Sequence, residues 1–439
     1  MAESDDKEII RGLYWNCASN AFNSVFAILT VFGSVFLLFM KELGVPKQLM
    51  GTILSLFPFC GLIAPFLSSY IEYFGSKRLF LICFGLRKIV IASLLSLPWI
   101  ISRYGNRAGL NYLVVSIAVF ALLRAIAEAG YYAWTKEFIP DRLRGKYTAL
   151  NTILSNITGL VAVFFARYVL GREGGIEKYI FLMGTGCIFG IFGVYFMSFV
   201  PGGKPFKSDE IPKIILPRII EPLKDKNFLR FISAVGISLF GASLMVFLPL
   251  FAREKLGFSP GNVILLDNAT IVSTMVMGIL WGYLGDRFGG RPVVIISLCI
   301  YTLVPFGWLI LPHTHPSVFI FSMLLYGISG ATLLGRAVGD TRFLYAGILK
   351  DVNVVYYTSL FYAWIGLIEG CAKIAGGYIL KIDFTTMVAG RIVDSYSAIF
   401  IINFLCQLAA IFIYRKVRPD KQVRTRAFLI MMARRLFNW

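Results

Sequence analysis

Three pairs of opposite charge lie within stretches of the chain that are otherwise apolar. The pairs are Arg124 with Glu128, Arg336 with Asp340, and Glu369 with Lys373. Residues four positions apart share one face of a helix, so each pair is spaced to form an ion pair along its own helix. Charges in an apolar medium are costly, and they usually face a cavity or a partner. These residues are therefore candidates for binding an ionic ligand or a proton.

Two interpretations of the charged pairs are open at this point. In the functional one, the cations attract an anionic or zwitterionic solute, and an acid that loses its partner binds a proton. In the structural one, the pairs neutralise themselves and hold helices together. We assign all six residues to a substrate and proton-coupling cavity, together with Asp267, an isolated acid in another apolar stretch. Glu128 and Asp340 have a second possible role as gate residues near the cytoplasmic mouth of that cavity.

Hydrogen-bonding groups follow one face of the first apolar stretch. In chain order, the residues on this face are Asn16, Asn20, Asn23, Ala27, Thr30 and Ser34. All of them except Ala27 carry a hydrogen-bonding side chain. Steps of three and four residues place them on the same side of a helix. Because buried amides need partners, we expect this face to line the cavity or to pack against the seventh helix, and we place Asn20 and Asn23 in the cavity.

The composition indicates which elements position these residues. Of the 439 residues, 57% are hydrophobic and 15% are charged, and the mean hydropathy is +0.74. Soluble domains carry about 25% charged residues, and the apolar runs here are long enough to cross a bilayer. The predicted spans are 13–40, 48–72, 79–101, 110–135, 147–171, 178–200, 228–252, 261–284, 292–312, 317–342, 355–381 and 394–415. Their length favours helices over barrel strands, which predicts an all-α polytopic membrane protein.

The longest polar connection, 201–227, divides the spans into two groups of six. We predict an N-terminal six-helix bundle over 1–200, a cytoplasmic central loop over 201–227 and a C-terminal six-helix bundle over 228–415. The remaining segment, 416–439, mixes basic and bulky apolar residues. This mixture predicts an amphipathic tail on the cytoplasmic surface of the membrane.

The net charge of +19 follows the predicted topology. Lysine and arginine are concentrated in the loops on the side of both termini, in the central loop and in the tail, and they are sparser on the opposite side. Positive charge marks the cytoplasmic side, so both termini are predicted to be cytoplasmic and the protein to lie in the plasma (inner) membrane. The basic residues then attract anionic headgroups of membrane lipid, and we expect no nucleic-acid partner.

The two halves of the chain are related by an internal repeat. FGSK at 74–77 matches FGGR at 288–291, and YTAL at 147–150 matches YTSL at 357–360. The pairs Arg124 with Glu128 and Arg336 with Asp340 correspond in the same way, and all of these matches occur at offsets of 210 to 214 residues. Their common order and spacing indicate a duplicated six-helix unit. Parallel repeats of this kind place a substrate site near the bilayer midplane.

A glycine-rich charged segment, GYLGDRFGGRP at 282–292, interrupts the apolar sequence between the eighth and ninth spans. It resembles the signature G-x-L-x-D-R-x-G-R-R that the major facilitator superfamily of secondary transporters carries between its second and third helices. SSYIEYFGSKR at 68–78 is a degraded copy in that first position, and FIPDRLRGKYTAL at 138–150 resembles the family's P-x-x-x-R-G signal. The resemblance extends over essentially the whole chain.

The resemblance implies the fold of that family, with twelve transmembrane helices in two pseudo-symmetric six-helix bundles. It also implies a cytoplasmic gate at the signature and at its copy. The gate residues are Gly282, Asp286, Arg287, Gly289 and Arg291 in the signature, and Glu72, Gly75 and Lys77 in the copy. We expect Asp286 to pair with Arg287, with Arg291 or with a neighbouring helix end when that side is closed.

Two features depart from the pattern of the family. The arginine of its fourth helix is usually followed by a glycine one turn later, whereas Arg124 is followed by Glu128, so we do not equate the two arginines. The fifth helix lacks the Gly-Pro-rich signature of proton-antiporting drug exporters, which argues against that function. Arg87 and Lys88 lie in the third span, which is usually peripheral, so we expect them to snorkel or to have an internal partner.

The resemblance implies a secondary active transporter that moves a small-molecule substrate by alternating access. From the charged residues we expect a small polar solute, anionic or zwitterionic, and a coupling ion, which we take to be the proton. We expect the protein to be a monomer. The alternative is a proton-antiport exporter of amphipathic compounds or lipids, and a non-transporting membrane receptor on the same fold is a third possibility.

Enzymatic chemistry is not expected. The two histidines, His313 and His315, lie in one short outer loop and offer no catalytic triad or metal site. The glycines of 282–292 follow no strand pattern and lack the GK[ST] of a phosphate-binding loop. We therefore predict no enzyme activity, no metal site and no cofactor.

Overall fold

The computed structural model describes residues 2–63, 74–203, 221–311, 315–348, 354–382, 384–388 and 391–418. Within them the chain is almost entirely helical. In the N-terminal half the helices are α1 (Ala2–Leu29), α2 (Ser34–Glu42), α3 (Lys47–Gly61), α4 (Ser76–Ser93), α5 (Leu97–Tyr104), α6 (Asn106–Phe138), α7 (Asp141–Leu170) and α8 (Glu177–Ser198).

The C-terminal half repeats this helical organisation. Its helices are α9 (Lys226–Leu244), α10 (Leu248–Glu254), α11 (Pro260–Phe288), α12 (Gly290–Tyr301), α13 (Leu303–Ile310), α14 (Val318–Arg342), α15 (Val354–Lys381) and α16 (Ser395–Tyr414). A π-helical turn, Phe343–Ile348, follows α14. Between α15 and α16, strand β1 (Thr385–Val388) pairs antiparallel with strand β2 (Arg391–Asp394).

Eleven helical stretches of the described residues are long and apolar enough to cross a membrane. They coincide with every predicted span except the second. The second begins as α3 and runs toward residues 64–73, which lie outside the described part. These stretches confirm the all-α polytopic fold and are consistent with twelve spans. The predicted tail helix and most of the predicted central loop also lie outside the described residues.

Several spans are interrupted where the sequence predicts continuous helices. The first span, predicted as one helix over 13–40, is two helices, α1 and α2, joined by a turn that contains Gly33 with a φ of 77°. In the third and seventh spans, 3₁₀ turns at Leu94–Ser96 and Met245–Phe247 divide the helix. Hydrophobic patterns do not mark such turns, because the residues stay apolar through them.

The helices form two compact units. Unit 1 comprises Met1–Ile214 and Ala252–Asp267, and unit 2 comprises Ile215–Phe251 and Asn268–Trp439. The segment Ala252–Asp267 thus belongs with the N-terminal helices, although it follows the central loop in sequence. The domain boundaries given by the sequence, at 200 and 228, remain a prediction.

In unit 1, α1 packs along α7 and α8, and α4 packs along α6. The contact between α1 and α8 is close because α8 presents glycine to it. A Cβ atom added at Gly190 would lie 2.8 Å from the ring of Phe26. Small residues at such contacts let membrane helices approach closely. The position of α1, whose polar face carries Asn23, is therefore fixed by packing.

In unit 2, α9 packs against α15 and α16, and α12 packs against α14. Phe231 of α9 is completely buried and stacks on Phe343 and Phe361, with ring centroids 5.6 Å apart in both cases. The Tyr414 ring of α16 meets Phe231 edge-on at 6.5 Å. These rings form the centre of the largest described core cluster of the unit.

A buried polar cluster in unit 2 uses its side-chain amides internally. Ser238 donates to Gln407 Oε1 over 2.7 Å, and Gln407 Nε2 donates to the Ser238 carbonyl over 2.9 Å. Gln407 Nε2 also donates to Asn403 Oδ1 over 2.7 Å, and Asn403 Nδ2 donates to the Tyr301 hydroxyl over 3.4 Å. Because its amide groups are satisfied within the cluster, it ties α9, α12 and α16 together.

A second polar cluster joins four helices of unit 1 at Asn16, which is completely buried. Asn16 Oδ1 accepts hydrogen bonds from Asn20 Nδ2 over 2.9 Å and from the Tyr131 hydroxyl over 3.1 Å. The Tyr147 hydroxyl donates to the same oxygen. Asn16 Nδ2 donates to the sulfur of Met197 over 3.2 Å. One side chain thus connects α1 to α6, α7 and α8.

Replacing Asn16 by leucine, which has nearly the same size, removes the shared acceptor of this cluster. Each buried donor left without a partner costs about 1–3 kcal/mol. We expect Asn16→Leu to lower the thermal unfolding midpoint of the purified protein by about 1 °C for each kcal/mol lost. Asn111→Leu, at an exposed position of α6, is the control and should change the midpoint little. An unchanged midpoint in Asn16→Leu would contradict the structural role of the cluster.

Candidate functional site

Unit 1 contains a cavity of about 250 Å³. Its wall is formed by Asn23, Phe26, Ala27, Phe32, Arg87, Phe120, Arg124 and Glu128. These residues come from α1, α4 and α6 and from the turn between α1 and α2. Three aromatic rings, two guanidinium groups, one carboxylate and one amide therefore surround a single space. Apolar walls with a few polar groups are typical of sites for small ligands.

Arg124 and Glu128 form an ion pair within the cavity wall. Arg124 Nε lies 2.6 Å from Glu128 Oε1 along one face of α6. The guanidinium carbon of Arg124 also lies 4.8 Å from the centroid of the Phe32 ring. The two charged side chains are partly exposed, 29% for Arg124 and 45% for Glu128. The pair is therefore electrically balanced and still accessible to a ligand.

Arg87 and Lys88 are adjacent on α4 and share one neutral acceptor. Asn23 Oδ1 accepts from Lys88 Nζ over 2.6 Å and from Arg87 Nη2 over 3.3 Å. Only 7% of Arg87 and 2% of Lys88 is exposed, and the Nε atom of Arg87 has no hydrogen-bond partner. No carboxylate of the described residues lies within ion-pair distance of either cation. Two neighbouring cations are thus buried without a counter-ion from the described part of the chain.

Aromatic rings stabilise both cations in part. The Lys88 ammonium lies 3.3 Å from the centroid of the Phe26 ring and 4.5 Å from that of Phe84. The guanidinium carbon of Arg87 lies 4.4 Å from the Phe84 centroid and 6.0 Å from the Phe120 centroid. Cation–π contacts contribute about 0.5–2 kcal/mol each, whereas burying an unpaired ion costs several kcal/mol. An anion in the cavity would supply the missing compensation.

The repeat-related pair in unit 2, Arg336 with Asp340, has a different environment. Arg336 Nη1 lies 3.5 Å from Asp340 Oδ2, and the Tyr414 hydroxyl donates to Asp340 Oδ1 over 2.6 Å. Their side chains are only 11% and 7% exposed. The carboxylate therefore has two partners in a closed environment, which favours a structural role. Of the two repeat-related pairs, the one in unit 1 lines the described cavity.

The other predicted cavity residues occupy separate places. Glu369 Oε2 and Lys373 Nζ are 3.6 Å apart on α15, with side chains 32% and 16% exposed. Asp267, in unit 1, accepts hydrogen bonds from the Ser34 hydroxyl over 2.9 Å and from the Ser34 backbone N–H over 3.3 Å. It thus satisfies a free donor at the start of α2, as a helix cap does. Asn20 belongs to the polar cluster of unit 1, and none of these four residues lines the described cavity.

The acid of the signature segment pairs with a neighbouring helix end. Asp286 Oδ1, at the end of α11, lies 2.5 Å from Arg342 Nη1, at the end of α14. The Asp286 side chain is 83% exposed and that of Arg342 is 22% exposed. Exposed pairs of this kind contribute about 0–1 kcal/mol. The contact can therefore break and form again at little cost in free energy.

The glycines of the signature have distinct roles. Gly289 precedes α12 with a φ of 92°, and its repeat equivalent, Gly75, precedes α4 with a φ of 86°. Both conformations are ones that glycine adopts readily and other residues do not. At Gly282, no atom of the described residues lies within 4 Å of an added Cβ. Close helix approach occurs at Gly290, where a Cβ would lie 2.6 Å from the Gly339 carbonyl oxygen.

The final cation of the signature and that of its copy make equivalent contacts. Lys77 Nζ donates to the carbonyl of Val200, just after α8, over 2.6 Å. Arg291 donates to the carbonyl of Arg415, just after α16. These contacts correspond in the repeat, because Lys77 and Arg291 are 214 residues apart and the residues of the two carbonyls are 215 residues apart. Each cation thus holds the end of the last helix of its own half.

Further contacts involve the copy and the signature. The backbone N–H of Lys77 donates to the Gly203 carbonyl over 3.2 Å, and the Gly203 N–H donates to Glu137 Oε2 over 2.7 Å. The start of the central loop is therefore bound to α4 and α6. In the signature, Arg287 Nη1 donates to the Tyr283 hydroxyl over 2.7 Å. Glu72, the acid of the copy, lies outside the described residues.

A sequence model of the Major Facilitator Superfamily matches residues 19–346, which is more than half of the chain. The chain belongs to the Major Facilitator Superfamily. It is therefore a membrane transporter of a family whose members bind small-molecule substrates, are generally monomeric and are in general not enzymes. Among curated protein sequences, none matches this chain significantly.

Solved structures of superfamily transporters share the fold. The nucleoside transporter NupG is 13% identical with a TM-score of 0.66, and the alignment covers 93% of this chain and 98% of NupG. A D-xylose–proton symporter is 15% identical with a TM-score of 0.67 and the same coverage of both chains. A bacterial homologue of the iron transporter ferroportin, solved in an inward-facing state, is 11% identical with a TM-score of 0.68 and again covers 93% and 98%. At these identities the likeness concerns the fold alone.

Arg87 lies in the cavity wall, whereas its place in a usually peripheral helix predicts snorkelling or an internal partner. It does not snorkel, because it is buried, and it has an internal partner in Asn23. Lys88 is also buried and has an internal partner in Asn23. A sequence signal for these cations exists, since the apolar span around them carries no acid three or four residues away. The phenylalanines of the wall have no such signal, because phenylalanine is common throughout the spans.

Lys88→Met tests whether the buried cations are kept for binding. Methionine preserves the length of the side chain and removes a charge that no described acid balances. We expect the thermal unfolding midpoint to rise by about 1 °C for each kcal/mol gained, and added organic anions to raise the midpoint less than in the wild type, because one of the two buried cations is gone. Lys146→Met, at an exposed position, is the matched control. A lower midpoint in Lys88→Met would show that Lys88 has a structural role instead.

Proposed function

We propose that this transporter moves a small polar solute, an organic anion or a zwitterion with an exposed anionic group, by alternating access coupled to the proton. The observation that supports this proposal most directly is the burial of Arg87 and Lys88 beside a cavity without a described counter-ion. An anion is the ligand that lowers the free energy of such an arrangement. Selection of a transporter for this substrate explains why a costly pair of charges persists in an apolar unit.

The substrate anion is bound by guanidinium groups from two helices. Arg87 approaches the cavity from α4 and has an unpartnered Nε atom. Arg124 approaches from α6, and its bond to Glu128 uses Nε. Guanidinium groups bind carboxylates and phosphates through two parallel hydrogen bonds. Asn23 lies between α4 and the cavity and orients Arg87 toward the substrate.

Glu128 is the proton-coupling group in this proposal. It lies 2.6 Å from Arg124 when no substrate is present. A substrate anion that takes Arg124 as its partner releases Glu128 from its ion pair and brings a second negative charge next to it, which favours protonation of the carboxylate. The other charged groups near it are the cations Arg87 and Lys88 on α4. Substrate and proton therefore bind together and are carried in the same direction.

The remaining features are assigned to topology and gating. Both termini face the cytoplasm, in agreement with the excess of lysine and arginine on that side, and the protein is a monomer in the inner membrane. The exposed pair of Asp286 and Arg342 belongs to the cytoplasmic gate, since it can break at little cost. Glu369 and Lys373 form a partly exposed ion pair on α15 of unit 2, and we keep them as candidate transport residues.

A second candidate function is supported by the aromatic wall. The rings of Phe26, Phe32 and Phe120 contribute to the cavity, and they would suit the apolar body of an amphipathic compound or lipid. Such a compound would be exported in exchange for protons. The two candidates differ in the direction of the proton gradient that drives accumulation.

Uptake into proteoliposomes under an imposed pH gradient tests the proposal. The solutes are labelled carboxylates, phosphate esters, amino acids and neutral amphipathic compounds. We expect an anion or a zwitterion to accumulate when the interior is alkaline and not when the gradient is reversed. Accumulation of an amphipathic compound only with an acidic interior would favour the exporter. If no solute responds to either gradient, the proposal is wrong.

Glu128→Gln keeps the size of the side chain and removes its titratable group. We expect this variant to lose gradient-driven accumulation and to retain exchange of substrate across vesicles at equal pH, because Arg87 and Arg124 still bind the anion. Arg103→Gln, at an exposed position of α5, is the control and should accumulate substrate like the wild type. Normal accumulation by Glu128→Gln would assign proton coupling to another residue.

A further inference from the structure

A polar layer lies directly next to the cavity of unit 1. Asn23 of α1 and Glu128 of α6 line the cavity. One turn away on the same helices, Asn20 Nδ2 lies 3.4 Å from the Tyr131 hydroxyl. A step of three residues corresponds to about 4.5 Å along a helix axis. The layer of Asn20 and Tyr131 is therefore within the length of a small solute held at the cavity.

Asn20 and Asn151 form an amide pair in this layer. Asn20 Nδ2 donates to Asn151 Oδ1 over 3.0 Å and to Asn16 Oδ1 over 2.9 Å. The two hydrogens of the Asn20 amide are therefore used within the layer. Among the described contacts, no donor reaches Asn20 Oδ1 and no acceptor reaches Asn151 Nδ2. Both side chains are half-buried, and neither of these two atoms is among the fully buried unpartnered atoms of the described residues, so a ligand can reach them.

The polar cluster of unit 2 shows what a packing role requires. Its amides, Gln407 and Asn403, are completely buried, and each has its oxygen and its nitrogen bonded inside the cluster. The pair of Asn20 and Asn151 differs in burial and in hydrogen bonding. It is partly exposed, and its Asn20 Oδ1 acceptor and Asn151 Nδ2 donor have no described partner. Packing of α1 against α7 does not need those open groups.

An open carbonyl beside an open amide group is complementary to a ligand group that both donates and accepts. Hydroxyl and amide groups have this property, whereas an ionised carboxylate only accepts. A carboxylate or phosphate is therefore not the group that this pair recognises. The charged end of the ligand belongs instead with Arg87 and Arg124, one helical turn away.

We propose that Asn20 and Asn151 form an uncharged subsite next to the cationic cavity, and that the transported anion carries hydroxyl or amide groups on its body. This inference rests on the proposed function, since it names the substrate class of the same cavity. It predicts that hydroxylated or amide-bearing acids are preferred over simple alkyl acids, which lack a group that can use the subsite.

Two matched pairs of acids test the subsite by isothermal titration of the purified protein. The first pair is gluconate and hexanoate, and the second is glycerol 3-phosphate and propyl phosphate. In each pair the chain length and the charged group are similar and only the hydroxyl groups differ. We expect at least one hydroxylated acid to bind about tenfold more tightly than its partner, as is typical when a polar site loses its ligand group.

The variants are Asn151→Leu and Asn156→Leu, which make the same change on α7. Asn151→Leu should reduce the affinity for the hydroxylated acid about tenfold and leave that for its alkyl partner unchanged. Asn156→Leu, whose amide has no described contact with the layer, should change neither affinity. Equal binding of both members in both pairs, or an equal loss of affinity for both members in Asn151→Leu, would overturn the subsite.

The two proposals fail in different ways. Equal binding of alkyl and hydroxylated acids removes the subsite and leaves anion transport in place, because the cations of the cavity still bind. If none of the four acids binds the wild-type protein, the subsite is overturned as well. The absence of any gradient-driven uptake of solutes in proteoliposomes overturns the proposed function itself.

Discussion

The cost of burying charge in an apolar medium is the constraint on which unit 1 depends. Arg87 and Lys88 are buried on α4 because Asn23 supplies one shared oxygen and the rings of Phe26 and Phe84 cover the two cations. This arrangement in turn requires a fixed position for α1. Glycine contacts with α8 and the polar cluster with α6 and α7 provide that position. The packing of the unit therefore brings two cations, which have no counter-ion among the described residues, next to a space that a solute can enter.

The internal duplication separates the features that maintain the fold from those that bind. Gly75 and Gly289 share a positive φ, and Lys77 and Arg291 each hold the end of the last helix in their own half. These structural devices are retained in both halves. The charged pairs have diverged, since the pair in unit 1 lines a cavity and the pair in unit 2 is closed off by a tyrosine. This divergence supports the proposal that the anion site lies in unit 1.

The sequence predicts the spans and the charged pairs because both depend on local spacing along the chain. It does not predict which pair faces a cavity, because both pairs have the same spacing. The difference arises from Tyr414, which reaches Asp340 from 74 residues further along the chain. The break of the first span at Gly33 and the role of Arg87 also depend on neighbours that are distant in sequence. Tertiary contacts of this kind leave no periodic signal.

Neutralising the two repeat-related pairs in turn tests directly whether unit 1 binds the anion. Two double variants are compared. The unit 1 variant combines Arg124→Gln with Glu128→Gln, and the unit 2 variant combines Arg336→Gln with Asp340→Asn. Binding of the anion that proteoliposomes accumulate most strongly is measured by isothermal titration of each folded protein. We expect the unit 1 variant to lose about tenfold or more in affinity and the unit 2 variant to stay within about twofold of the wild type. Retained affinity in the unit 1 variant, with loss of affinity in the unit 2 variant, would contradict binding of the anion by unit 1.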